Sequence, residues 1–138
     1  MQNYPDSKYV REASLGLARS LYNLGYYEQA SQVGEYIDRR WPRFYIEYPG
    51  ILTMFGDMAL RMNKLTDAKR YYWTYYNIAP MAPDADTSLV HLGDIYTQLG
   101  KIEAAKEIYQ NAVSTFPTRD GGLIAQMRMA EEGIHDAP

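Results

Sequence analysis

The sequence predicts an all-α fold, an α-α superhelix built from three helix pairs and a C-terminal helix. A small residue recurs every 37 or 38 positions, at Ala18, Gly56, Gly93 and Ala130. Prolines keep the same step, at Pro5, Pro42, Pro80 and Pro117. Between these markers the apolar residues recur at spacings of three and four, which is the periodicity of α-helices rather than strands. A period of this length is typical of stacked repeats, each of which forms one supersecondary unit.

Each marker residue has a physical role in a helix pair. Gly25, Asn63 and Gly100 fall between the two helices, where the closing residue of a tight turn adopts the left-handed conformation. Alanines five residues later allow the paired backbones to approach closely, and the prolines end the second helices. The predicted helices are about 8–24, 27–40, 50–62, 66–78, 86–99, 102–115 and 121–133. Residues 1–7 are interpreted as the tail of an earlier unit.

We expect one domain over 1–138, with repeats at about 11–44, 49–82 and 86–119. The helix at about 121–133 then acts as a cap or a partial repeat. Because the pattern starts and stops within units, the chain is interpreted as a fragment of a longer array.

Composition excludes several classes of function. Among 138 residues there is no cysteine, so disulfides and thiolate metal sites are excluded. The net charge of −3 lacks the basic footprint of a nucleic-acid-binding protein. No apolar run approaches the 18 or so residues of a membrane span, so no direct membrane insertion is expected. The first five residues also lack the charged-then-apolar order of a signal peptide.

The repeat pattern resembles the tetratricopeptide repeat (TPR) family. The third unit carries the motif residues most completely, with Leu92, Gly93, Tyr96, Gly100, Ala105, Tyr109, Ala112 and Pro117. The second unit matches with Phe55, Gly56, Asn63, Ala68, Tyr72, Tyr75 and Pro80. The first unit departs from the motif, with Gly34 in place of an aromatic residue and Ile37 in place of alanine. The resemblance implies a right-handed solenoid and a non-enzymatic scaffold that binds a peptide or protein segment in its concave groove.

The repeat period adds a second resemblance. A standard unit of the family has 34 residues, whereas the extra residues of this chain follow the proline. The segments Tyr4–Tyr9 and Phe116–Asp120 are similar to linkers in bacterial envelope proteins of the family, such as the Tol-Pal coordinator and outer-membrane assembly lipoprotein families. This similarity implies a periplasmic or envelope location in a bacterium, with the cytoplasm as the alternative.

In this family the first helix of each unit lines the groove, which nominates three rows of residues. The rows are Arg19, Asp57, Asp94 and Glu131; Gly16, Met54, His91 and Arg128; and Asn23, Arg61, Gln98 and His135. The acidic residues of the first row, flanked by basic ones, favour an extended peptide of basic or mixed polar character. In the alternative interpretation these side chains are solvated or pair with each other, as Asp57 and Arg61 would one turn apart.

A run of aromatic residues marks the second helix of the middle unit, Tyr71–Tyr76. Tyr72 and Tyr75 fall at core positions. Tyr71, Trp73 and Tyr76 cannot all face that core as well, because successive residues of a helix are rotated by about 100°. Trp73 and Tyr76 either pack under the aromatic linker 41–48 or form a second surface for a partner or for self-association. The alternative to a peptide-binding scaffold is therefore a structural spacer or a self-association segment that uses these surface aromatics.

No motif for catalysis, cofactor binding or metal binding is present. His91 and His135 are the only histidines, and no carboxylates lie at metal-ligand spacing from them. The sequence contains no nucleophile set and no phosphate-binding loop. The chain is therefore expected not to be an enzyme and to use no cofactor.

Overall fold

The structure is a computed structural model that describes residues 8–131, and helices are the regular secondary structure of this part of the chain. Its helices are α1 Lys8–Asn23, α2 Tyr27–Arg40, α3 Phe44–Glu47, α4 Ile51–Arg61, α5 Leu65–Ile78, α6 Ala85–Gln98, α7 Ile102–Thr115 and α8 Asp120–Glu131. The predicted all-α fold is confirmed. Pro5, His135 and the end of the predicted final helix lie outside the described residues.

The three predicted left-handed turns are confirmed. Gly25, Asn63 and Gly100 have φ angles of 88°, 58° and 78°. Each turn closes in the same way: Tyr26 N–H donates to the Leu21 carbonyl (2.9 Å), and Gly25 N–H donates to the Tyr22 carbonyl (3.0 Å). This pair of bonds is a Schellman motif, which satisfies carbonyls at the end of a helix. The other two turns repeat both bonds, at Lys64 with Asn63 and at Lys101 with Gly100.

Two compact units make up the chain, Met1–Ala68 and Lys69–Pro138. They are called unit 1 and unit 2 below. The single domain and the repeat boundaries expected from the sequence stay predictions.

In unit 1, α1 packs on α2 and α2 packs on α4. Gly34 allows the second contact, because a Cβ at this position would lie 3.1 Å from Met58 Sδ and 3.5 Å from the Phe55 ring. The side chains of α4 thus fill the space in which the repeat motif normally has an aromatic residue. The departure of the first unit from the motif therefore has a steric reason.

Helix α3 was not predicted, since its residues were assigned to a linker. Phe44 is buried, and the Arg11 guanidinium of α1 lies 4.1 Å from the centre of its ring. Arg11 also forms two hydrogen bonds to Glu47, at 3.0 and 2.9 Å. These bonds lower the pKa of the Glu47 carboxyl. The extra residues of the first linker are therefore held to α1 by a bidentate ion pair.

In unit 2, α6, α7 and α8 pack on one another. The Tyr109 ring of α7 lies against Gly93 of α6, and a Cβ at Gly93 would collide with it. Helix α8 approaches its neighbours through Gly121 and Gly122, which are both buried. A Cβ at Gly121 would meet the backbone of Asp86, and one at Gly122 would meet the Phe116 carbonyl.

The second and third linkers of the chain are joined through Arg119. Its Nη2 atom donates to the carbonyls of Ala82 (2.8 Å) and Pro83 (2.7 Å) and to Oδ1 of Asp86 (3.0 Å). Asp86 is buried and its Oδ2 accepts a bond from the N–H of Gly121 (2.8 Å). One arginine thus connects segments that lie about one repeat apart in sequence.

Candidate functional site

Unit 1 has a polar recess between α1 and α4, with a volume of about 280 Å³. We call it recess 1. Its lining residues are Arg19, Tyr22, Asn23, Gly50, Thr53, Met54 and Asp57. Recess 1 therefore contains four of the residues that the sequence nominated for the groove, namely Arg19, Asn23, Met54 and Asp57.

Two nominated residues of unit 1, Gly16 and Arg61, do not line recess 1, and Arg61 instead contacts an aromatic ring. Its guanidinium lies 4.5 Å from the centre of the Tyr27 ring. A hydrogen bond with Tyr22 is the main cause of the raised pKa of Arg61, and Asp57 contributes only a minor electrostatic part. The pairing of Asp57 with Arg61 that the sequence suggested stays a prediction.

Unit 2 has a recess of similar size, about 290 Å³, between α6 and α8. We call it recess 2. Its lining residues are Asp94, Thr97, Gln98, Tyr109, Arg128 and Glu131. Recess 2 therefore contains four residues that the sequence nominated for the groove, namely Asp94, Gln98, Arg128 and Glu131.

Asp94 is the centre of a hydrogen-bond network in recess 2. Its Oδ1 atom accepts bonds from Tyr109 Oη (2.5 Å) and from Arg128 Nε (3.0 Å). Glu131 lies 3.7 Å from Nη1 of the same arginine. The network joins α6, α7 and α8. Asp94 therefore supports the packing of unit 2, as the alternative interpretation of the groove residues proposed for the row.

The network shifts the titration of two of its members. Burial is the main cause of the raised pKa of Tyr109, and its hydrogen bond to Asp94 is the second. The hydrogen bond to Asp94 also raises the pKa of Arg128. Tyr109 thus stays a neutral hydrogen-bond donor and Arg128 stays a cation, and both donate to the carboxylate of Asp94.

The two recesses occupy the same positions of the repeat. Arg19, Tyr22 and Asn23 on α1 correspond to Asp94, Thr97 and Gln98 on α6. On the opposite wall, Met54 and Asp57 of α4 correspond to Arg128 and Glu131 of α8. Each recess is therefore a product of the repeat geometry, whereas its charges depend on the individual side chains.

Three further nominated residues lie outside the recesses. The His91 ring stacks on that of Tyr72, with centroids 4.9 Å apart. Trp73 Nε1 donates to Tyr96 Oη (3.1 Å), and Tyr76 Oη accepts a bond from Asn111 (3.4 Å). Trp73 and Tyr76 are half-buried and make these polar contacts within unit 2. Their packing under the 41–48 linker and their role as a second surface stay predictions.

Reasoning from sequence missed Tyr22, Thr53 and the hydroxyl of Tyr109 as recess residues. Tyr109 was assigned to the core, and its ring is indeed buried, with 1% of its surface exposed. Gly93 lies against the Tyr109 ring, and this close approach brings the Tyr109 hydroxyl within reach of Asp94. Gly93 was therefore the sequence signal for the second role of Tyr109.

The described residues show no centre for metal chemistry. Between Lys8 and Glu131, no group of three or more His, Asp or Glu side chains could hold a metal ion. In the same range, no helix is both long and apolar enough to cross a membrane.

Comparison with known proteins gives one family. Residues 87–119 match the family model described as tetratricopeptide repeat. No curated protein matches the chain. The matched stretch contains most of α6, all of α7 and the linker as far as Arg119. Together with the all-helical fold, this match supports the tetratricopeptide repeat family, whose repeats are generally protein-interaction modules.

Proposed function

We propose that this chain is a non-enzymatic scaffold that binds a peptide or protein segment along the first helices of its repeats. The observation that carries the proposal is the pair of polar recesses at equivalent repeat positions, one in each unit. A binding surface that recurs with the repeat suits an extended ligand, because such a ligand presents side chains at regular intervals.

The lining of the recesses indicates a ligand of mixed polar character. Recess 1 contains a guanidinium, an amide and a carboxylate, from Arg19, Asn23 and Asp57. Recess 2 contains two carboxylates, of which Asp94 is already bonded to Arg128. Gln98 and Thr97 are its uncharged polar residues. We therefore assign direct recognition to Arg19, Asn23 and Gln98, and a supporting role to Asp94.

Peptide selection followed by a binding assay tests the proposal. A displayed library of 12-residue peptides is selected on the chain, and affinity for the recovered peptides is measured by fluorescence anisotropy. Arg19→Ala, Asn23→Ala and Gln98→Ala should each weaken binding, by about 5- to 30-fold, because each removes a polar contact worth about 1–2 kcal/mol.

Gln32→Ala is the matched control, since Gln32 is an exposed amide on the second helix α2. This variant should bind as the unchanged chain does. The proposal fails if the recess variants bind selected peptides with unchanged affinity, or if the control loses as much affinity as they do.

We also propose a bacterial envelope location, supported by the long period and the linker resemblance. Fractionation of the source cells, followed by detection with an antibody to the chain, checks it. Recovery in the cytoplasmic fraction alone contradicts this location.

A further inference from the structure

Helix α1 has a stripe of exposed residues along one side. Tyr9, Leu17 and Leu24 are 81%, 51% and 71% exposed. Ala13, Gly16 and Ser20 lie between them and are also exposed. Leu24 follows the helix but continues its last turn, because its N–H donates to the Ser20 carbonyl (3.0 Å). The spacings of three, four and seven residues place all six on one face.

The equivalent stripe of the next repeat is covered. Ile51, Phe55 and Met58 of α4 stand 38 positions after Ala13, Leu17 and Ser20, and their exposures are 2%, 5% and 2%. Helix α2 packs on this side of α4, where Gly34 meets Phe55 and Met58. The same face of a first helix is therefore a helix-packing face within this chain. On α1 it has large apolar residues that are open to solvent.

The residues of the α1 stripe are spaced symmetrically about the middle of the helix. Tyr9 and Leu24 are equally far from the midpoint between Gly16 and Leu17, and so are Ala13 and Ser20. Two copies of α1 in antiparallel orientation would therefore place Tyr9 against Leu24, Ala13 against Ser20 and Gly16 against Leu17. The central residues are mostly small, which allows close approach, and the bulky residues cover the two ends. Such a twofold contact is self-complementary.

The charges beside the stripe fit the same arrangement. Glu12 and Arg19 are seven residues apart and lie on the same flank of α1, both exposed. In a twofold antiparallel pair this flank faces its own copy. Glu12 of one copy then lies about 3 Å along the axis from Arg19 of the other, within reach of an ion pair, and the contact occurs twice. Within its own chain Glu12 also accepts a bond from Tyr48 (3.1 Å) and lies 3.9 Å from Lys8.

We propose that the exposed stripe of α1 is a homodimerisation surface, occupied by α1 of a second copy in antiparallel orientation. This surface is separate from the aromatic residues Trp73 and Tyr76. One helix pair buries a small area, so the dimer is a reversible one that forms with rising concentration.

Sedimentation equilibrium over a concentration series tests the proposal with the full 138-residue chain. The unchanged chain should shift from monomer towards dimer, whereas Leu17→Asp should stay monomeric because it buries two carboxylates at the centre of the contact. Met127→Asp is the control, since Met127 is a 57% exposed apolar residue on α8. It should dimerise as the unchanged chain does. A monomer at every concentration, or a dimer that Leu17→Asp leaves intact, overturns the proposal.

Disulfide trapping tests the antiparallel register. The chain has no cysteine, and a Cβ at Gly16 has no heavy atom within 4 Å, so that Gly16→Cys is tolerated. Two such cysteines lie almost on the twofold axis and should form a linked dimer on mild oxidation. Ser20→Cys alone should not, because its copies lie about 10 Å apart along the axis, beyond the reach of a disulfide. Equal trapping of both variants contradicts the register.

Exchange of charges provides the last check on the dimer. Glu12→Arg should weaken the dimer, since it places two arginines together on the flank. The double variant Glu12→Arg with Arg19→Glu restores opposite charges and should recover most of the affinity. Circular dichroism of each variant shows whether the fold is unchanged. Failure of the double variant to recover, with the fold intact, contradicts the proposed pairing.

Discussion

Recess 1 and recess 2 have the same place in the repeat but differ in how their charges are matched. In recess 2 the carboxylate of Asp94 is bonded to Tyr109 and Arg128, which come from two other helices. The position of Arg128 is occupied by Met54 in recess 1, and the position of Asp94 by Arg19. The comparison shows that the repeat determines where a recess forms, whereas a few side chains decide which charges line it.

The largest expected effect comes from disturbing the close packing of α8, which forms one wall of recess 2. Gly122→Ala places a Cβ against the Phe116 carbonyl, so the backbone must shift. We expect a loss of about 3 kcal/mol in the free energy of unfolding. Urea unfolding followed by circular dichroism measures it.

Gly16→Ala is the matched control for that substitution. It adds a methyl group in open space within α1 and should stabilise the chain by up to about 1 kcal/mol, because alanine favours a helix over glycine. Equal stability of Gly122→Ala and the unchanged chain would mean that α8 does not approach α7 as described.

A smaller effect is expected from removing the hydroxyl that supports Asp94. Tyr109→Phe should lower the free energy of unfolding by about 1.5 kcal/mol near neutral pH, because a hydrogen bond to a charged acceptor is lost. Because folding raises the pKa of Tyr109, its contribution is complete below the unfolded pKa of about 10 and is lost as the pH rises above it.

The pH dependence separates Tyr109 from other tyrosines. Unfolding measured between pH 8 and 11 should show a smaller loss of stability at high pH for Tyr109→Phe than for the unchanged chain. Some loss remains, since burial also raises the pKa of Tyr75. Tyr36→Phe, which removes an exposed hydroxyl, is measured beside it as the control for the loss of one tyrosine. Identical slopes for Tyr109→Phe and the unchanged chain contradict a buried Tyr109 hydroxyl.

The smallest expected effect comes from transferring the ion pair of recess 2 to recess 1. Arg19→Asp with Met54→Arg recreates the residues of Asp94 and Arg128 at the equivalent positions. A double-mutant cycle should give a favourable coupling of about 0.5 kcal/mol, since Asp94 and Arg128 are themselves about one-third exposed and solvent screens such pairs. A coupling of zero would indicate that the two recesses differ in backbone geometry as well as in side chains.

Much of the helical fold was predictable because its markers are local. Gly25, Asn63 and Gly100 adopt the left-handed conformation that the sequence indicated, and the helices end before the prolines. The short helix α3 was not predictable in this way. It depends on Arg11, which lies 36 residues from Glu47, and no local pattern reveals such a contact.

The candidate site was predictable in position but not in its internal bonds. The repeat register placed Arg19, Asp57, Asp94 and Glu131 on first helices, and these residues do line the two recesses. The bonds of Asp94 required three helices to be assembled, since its partners stand 15 and 34 residues away. Arg61 and His91 contact aromatic rings for the same reason: their environment comes from distant parts of the chain.

The contacts of Arg119 between two linkers limit how one of these repeats can be shortened or transplanted. Arg119 binds Ala82, Pro83 and Asp86, and Arg11 binds Glu47 in a comparable way. The linker residues beyond a standard 34-residue unit therefore hold neighbouring segments of the chain together. Deleting them to reach a 34-residue unit would remove the anchor together with its acceptors. A designer who grafts one of these repeats into another array would need to carry the linkers on both of its sides.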